Sequence, residues 1–158
     1  MFEEFRDGLA VFLMHLLRNQ QSAEDVLQEV WIASRSGIAS AREPRAWLYG
    51  VTRKMAIRHM RSEQRRRFYE FSAASPEREE SREEDVLRSV RVLSVLESTL
   101  GDRDRALVML HHVHGFDADE LATALGIRPS AARQRISRAN RRLARALRNS
   151  DVGRASDE

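Results

Sequence analysis

Apolar residues recur three and four positions apart along nearly the whole chain, and no stretch alternates with the period of two that a half-buried strand requires. The pattern predicts an all-α fold. A first helix is expected over about residues 2–18, with Phe2, Phe5, Leu9, Phe12, Leu13, Leu16 and Leu17 as its inner stripe. Ser22-Ala23-Glu24-Asp25 has capping-box spacing, and the helix behind it turns Val26, Leu27, Val30 and Trp31 inward before Gly37 stops it. Residues 35–43 read as a loop or short turn. Pro44 suits the first position of a third helix, where its missing N–H is not needed. That helix carries Trp47, Leu48, Val51 and Met55 on one face and runs on into Arg58, Arg61, Arg65, Arg66 and Arg67.

Residues 72–85, SAASPEREESREED, contain Pro76 and little apolar content, and read as a flexible acidic linker. Beyond it the helical period returns with Val86, Leu87, Val90, Leu93, Leu96 and Leu100. Gly101 breaks that helix and Asp102 is a fit cap for the next, whose inward residues are Ala106, Leu107, Leu110 and Val113, with Gly115 as the stop. Asp117-Ala118-Asp119-Glu120 has capping-box spacing and opens a short helix with Leu121, Ala122 and Leu125. After the Gly126 turn, Ser130 is expected to cap a last helix, 131 to about 148, with Ala132, Ile136, Ala139, Leu143 and Leu147 inward. The organisation is thus two small helical domains, 1–71 and 86–148, joined by the linker and followed by a disordered tail, 149–158.

Charge sharpens this picture. The net charge of +3 over 158 residues conceals two basic blocks separated by acidic sequence. Residues 53–67 hold seven cations against Glu63 alone, and 128–148 hold eight arginines and no acid. Such blocks are the footprint of a polyanion binder. There is no cysteine, which excludes a disulfide framework or thiolate chemistry and fits a cytoplasmic protein. No apolar run reaches the roughly 20 residues of a membrane span, and the acidic Met1-Phe2-Glu3-Glu4 start lacks a signal-peptide layout, so no membrane contact of its own is expected.

Residues 117–148 form a helix-turn-helix pattern. Near the start of its second helix, Ser130, Arg133 and Gln134 suit the major groove, because Arg bonds guanine bidentately and Gln bonds adenine. Arg128, Arg135, Arg138, Arg141 and Arg142 extend the same cationic face, the last three suited to phosphates. In the other basic block, aromatics flank the cations: Trp47 and Tyr49 before, Phe68, Tyr69 and Phe71 after. Positive charge beside ring faces suits single-stranded DNA, although Trp47 shares the stripe of Leu48 and Val51 and is expected in the core. His111 and His114 lie at metal-ligand spacing, but no third ligand matches, so no metal and no other cofactor is expected. No paired carboxylates or nucleophile–base arrangement suggests an enzyme.

Three stretches carry a family resemblance. SAEDVLQEVW (22–31), PRAWLYGVTRKMAIRHMR (44–61) and DADELATALGIRPSAARQRISRANRRL (117–143) resemble, in order and spacing, the conserved regions of bacterial RNA polymerase sigma factors of the extracytoplasmic-function type. The resemblance covers about residues 2–148 and implies a protein that binds core RNA polymerase and promoter DNA and is held in check by an anti-sigma factor. Glu24, Asp25, Gln28, Glu29 and Trp31 are then the residues that dock on polymerase. Ser36, Ile38 and Ser40, in the loop that takes up a flipped base, and Arg53, Lys54, Arg58, His59 and Arg61 on the next helix, face the −10 element. The helix-turn-helix reads the −35 element. The chain departs from the family where Arg53-Lys54 stands for the common Arg-Asn, and where Ser130-Ala131-Ala132 stands for the usual Gly-Thr-Val. A stand-alone helix-turn-helix regulator is the alternative, but it leaves residues 1–71 unexplained and offers no dimerisation zipper.

Overall fold

The computed structural model describes residues 1–69 and 84–155, with side-chain burial described for 1–69 and 92–150. Every regular element among them is helical: α1 (Phe2–Leu17), α2 (Gln20–Gly37), a single 3-10 turn (Ile38–Ser40), α3 (Pro44–Tyr69), α4 (Glu84–Thr99), α5 (Asp102–His112), α6 (Ala118–Leu125) and α7 (Pro129–Ala155). The α1 stripe is buried as its spacing requires, with Leu9, Phe12, Leu13 and Leu16 at the centre. It meets Val26 and Val30 of α2, and α3 closes the first lobe with Leu48, Ala56 and Ile57.

Several local expectations are corrected. The cap of α2 is Asn19, whose Oδ1 accepts from the Ser22 amide at 2.8 Å, so Ser22 lies inside the helix. Arg18, left-handed at φ 53°, closes α1 and turns the chain directly into that cap. Gly101, not Asp102, is the cap residue of α5; the Asp102 carboxylate instead accepts from Arg105 at 3.0 Å. Pro129 takes the first position of α7, which places Ser130 within the helix. That helix continues to Ala155, through most of the segment expected to be disordered; Gly153 costs a helix only about 1 kcal/mol and does not end it. The expected linker loses Glu84 and Asp85 to α4, and its residues 72–83 lie outside the described residues. Trp31 and Val113, expected inward, are 44% and 55% exposed.

The two lobes pack on one another rather than standing apart. Helix α3 crosses α6, and α5 lies against both α1 and α3. The crossing is close because residue 50 is glycine: a β-carbon there would collide with the Ala124 carbonyl. The consequence for α5 is burial all round, from Arg105 to Leu110, where a one-sided stripe was expected. Likewise α3 is buried on two sides, at Ala46, Tyr49, Thr52 and Arg53 as well as Leu48. One continuous apolar core therefore runs from Leu9 through Leu107 to Ala139.

Candidate nucleic-acid interface

The helix-turn-helix is built locally. Asp117 Oδ1 accepts from the amides of Asp119 (2.9 Å) and Glu120 (2.8 Å), and Glu120 Oε2 accepts from the Asp117 amide (3.0 Å), so the capping box forms as its spacing required. Gly126 then adopts φ 66°, a left-handed conformation that an L side chain resists, and the Ile127 amide bonds the Ala122 carbonyl. Ala132, Ile136 and Ala139 of α7 are buried against this unit. Arg128, Ser130, Arg133, Gln134, Arg135, Arg138, Arg141 and Arg142 all lie on the exposed face. Arg133 is only loosely held, 3.9 Å from Asp119, and an exposed pair of this kind contributes little. Arg142 is more committed: it donates to the Thr99 carbonyl at 3.1 Å and lies 3.8 Å from Asp104.

In the first lobe the predicted residues separate. Lys54, Arg58 and Arg61 are exposed. Arg58, Arg61 and Arg65 line a shallow groove of about 600 Å³ with Gln64, Phe68 and Tyr69. Phe68 and Tyr69 are 77% and 83% exposed and meet edge to face at 5.7 Å between centroids. Ser36 and Ser40 are also exposed, their hydroxyls donating to the Ala33 and Gly37 carbonyls. Ile38 packs half-buried on the core, and Trp47 lies over Gly37 as a core residue. His59 is half-buried. Arg53 does not face outward as expected: it is buried at the seam between the lobes. There its pKa is lowered, by burial first and then by Arg103 and Arg135.

The outer face of α2 displays Glu24, Asp25, Gln28, Glu29 and Trp31 together. Gln20 and Gln21 donate to Glu24 and Asp25, and Glu29 lies 3.3 Å from Arg58. Arg35 stands over the Trp31 ring at 5.3 Å. Ile32, 63% exposed, enlarges this apolar spot and was not anticipated, because only its displacement from the inner stripe marks it.

The seam itself was also not anticipated. Arg45 donates to Glu120 at 2.8 Å and to the His114 carbonyl, and its guanidinium covers Phe116 at 4.1 Å. Tyr49 reaches His114 Nδ1 at 3.3 Å, and Phe12 meets that imidazole edge-on. Burial lowers the His114 pKa, with His15 and Arg45 adding to the effect, and burial raises that of Tyr49. His111 and His112 are engaged elsewhere, with the Phe116 carbonyl and Asn140, and no group of three metal-ligating side chains occurs among the described residues. The only advance hint of this seam is Phe116, a lone aromatic after a glycine in an otherwise polar turn.

The fold and its two cationic faces define a bipartite helical DNA-binding protein. Residues 1–66 match the model of sigma-70 region 2, and residues 96–143 match that of sigma-70 region 4. The ECF RNA polymerase sigma factor SigL of Mycobacterium tuberculosis is 28% identical over 160 residues, covering 98% of this chain and 90% of SigL. SigJ of the same organism is 30% identical, covering 89% of this chain and 48% of its own length. Solved structures that share the fold include two complexes. One is the sigma factor RpoE bound to the anti-sigma factor NepR from Bartonella quintana (TM-score 0.68, 22% identity, 93% of this chain and 94% of that one). The other is CnrH bound to the cytosolic domain of CnrY (TM-score 0.64, 25% identity, 95% and 86%). The chain belongs to the sigma-70 family, as a sigma factor of the extracytoplasmic-function class.

Proposed function

We propose that this protein binds core RNA polymerase through the outer face of α2 and directs initiation at promoters whose −35 element is read by α7 and whose −10 element meets α3. The observation that carries the reading is the pairing, in one chain and in family order, of region 2 and region 4, each presenting an exposed, arginine-rich face. The protein supplies no catalysis; it positions polymerase, whose chemistry follows. Phosphate contacts from Arg138 and Arg141 set the register of α7, while Arg133 and Gln134 reach base edges. The groove of Arg58, Arg61, Arg65, Phe68 and Tyr69 suits the melted strand, because bases stack on exposed rings and the cations follow the backbone. Ile38 and Ser40 of the 3-10 turn, with Ser36 in the last turn of α2, are the residues we assign to an extruded base.

An anti-sigma factor is the expected regulator, in keeping with the partners in the two neighbouring structures. No helix among the described residues is long and apolar enough to cross a membrane, and we place the protein in the cytoplasm with its polymerase. In vitro transcription from a promoter library, with core polymerase and with or without this protein, tests the assignment. Discrete start sites that require the protein support it. Duplex binding without any polymerase association would sink it in favour of a free-standing regulator.

A further inference from the structure

The helix assigned to polymerase and the helix assigned to the −10 strand are joined by an ion pair. Glu29 Oε2 of α2 lies 3.3 Å from Arg58 Nη2 of α3. The other two acids of the α2 face are engaged within their own helix, Glu24 by Gln20 at 2.8 Å and Asp25 by Gln21 at 3.0 Å, whereas Glu29 reaches across to α3. Arg58 is set apart in the same way. It lines the groove of about 600 Å³ with Arg61, Arg65, Phe68 and Tyr69, and neither Arg61 nor Arg65 makes an ion pair with any described residue. The side chains of Arg58 and Glu29 are 73% and 51% exposed, so their pairing adds little to the fold and is free to exchange.

A guanidinium offers a carboxylate and a phosphate the same N–H groups, so the two anions compete for it. We propose that Glu29 stands in for a DNA phosphate on Arg58 in the free chain, and that a cationic side chain of polymerase, on taking Glu29 as its own partner, releases Arg58 to the groove. Glu29 is then a positioning residue that couples docking to capture of the single strand. The coupling runs both ways: DNA on Arg58 frees Glu29 for polymerase by the same factor. The inference rests on the docking and −10 roles proposed above for α2 and α3.

The test is fluorescence anisotropy of the full chain with labelled single-stranded DNA, taken from a promoter at which the holoenzyme initiates. It is run at low salt, with the chain alone and with saturating core polymerase. In the free chain, Glu29→Gln should bind the DNA about two- to fivefold more tightly than wild type, the range of one exposed ion pair, and the gain should shrink as salt is raised. In the holoenzyme, where polymerase already engages that position, the same substitution should leave DNA affinity unchanged. Arg58→Gln should tighten the binding of core polymerase by a similar factor. In the Arg58→Gln background, Glu29→Gln should no longer raise DNA affinity; an equal rise there would assign the effect to general charge repulsion and overturn the proposal. Unchanged affinity of the free Glu29→Gln chain overturns it as well. Arg61→Gln separates this coupling from the groove itself. If it weakens binding while Glu29→Gln changes nothing, the groove stands and the coupling falls; if neither changes binding, the −10 role of α3 falls with it.

Discussion

At the scale of single residues, Gly50 makes the sharpest case. In an isolated helix, replacing glycine by alanine stabilises by roughly 1 kcal/mol. Here the added methyl meets the Ala124 backbone, which cannot yield as a flexible side chain would. Gly50→Ala should therefore lower the melting temperature and enlarge the radius of gyration in solution scattering; a gain in stability would show that α3 and α6 do not cross this closely in solution. Arg133 and Arg142 differ in a comparable way. Arg133 is exposed and weakly held, so Arg133→Ala should leave stability unchanged, cost about 1–3 kcal/mol of −35 affinity, and relax preference at one base position in a holoenzyme binding assay. Arg142 bonds the Thr99 carbonyl, so Arg142→Ala should lower the melting temperature as well as binding, and should weaken all sequences alike.

At the scale of elements, what was legible followed from local physics. The Asp117 capping box and the Gly126 turn each need only residues within one turn of chain, and both appear where their spacing put them. The α7 face was legible because the eight arginines of residues 128–148, with no acid among them, leave one dry stripe, Ala132, Ile136 and Ala139. Cap choice was less legible: Asn19 and Ser22 are almost equally good caps, and the left-handed Arg18 that selects Asn19 has no sequence mark. Helices α3 and α5 were least legible, because their second buried sides depend on a partner far along the chain. The end of α3 carries a prediction of its own. Phe68 and Tyr69 are too exposed to support the core, so alanine at either should leave thermal stability unchanged. Each should reduce holoenzyme affinity for single-stranded −10 DNA by about 1–3 kcal/mol in fluorescence anisotropy. Unchanged affinity would remove those rings from the interface.

At the scale of the whole molecule, the packed arrangement and promoter reading compete. With the lobes together, Arg53 is withdrawn from the surface, so the −10 contact expected of it needs the seam to open. His114 makes that opening depend on pH. From α3 it faces Tyr49 and Arg45, and from α1 it faces His15 and the Phe12 ring. Its pKa in the packed state is lowered from 6.5, whereas separation of the lobes returns it to water. Above 6.5 the imidazole is neutral in both states and the seam has its full stability. As the pH falls below 6.5 the separated state takes up a proton that the packed state refuses, so packing weakens progressively down to the depressed value. Energy transfer between dyes on the two lobes should accordingly fall from pH 7.5 to 5.5. His114→Gln keeps a polar partner for Tyr49 but cannot titrate, and should flatten that fall. An identical pH response in wild type and variant would assign the effect to other groups and leave His114 as a packing residue alone.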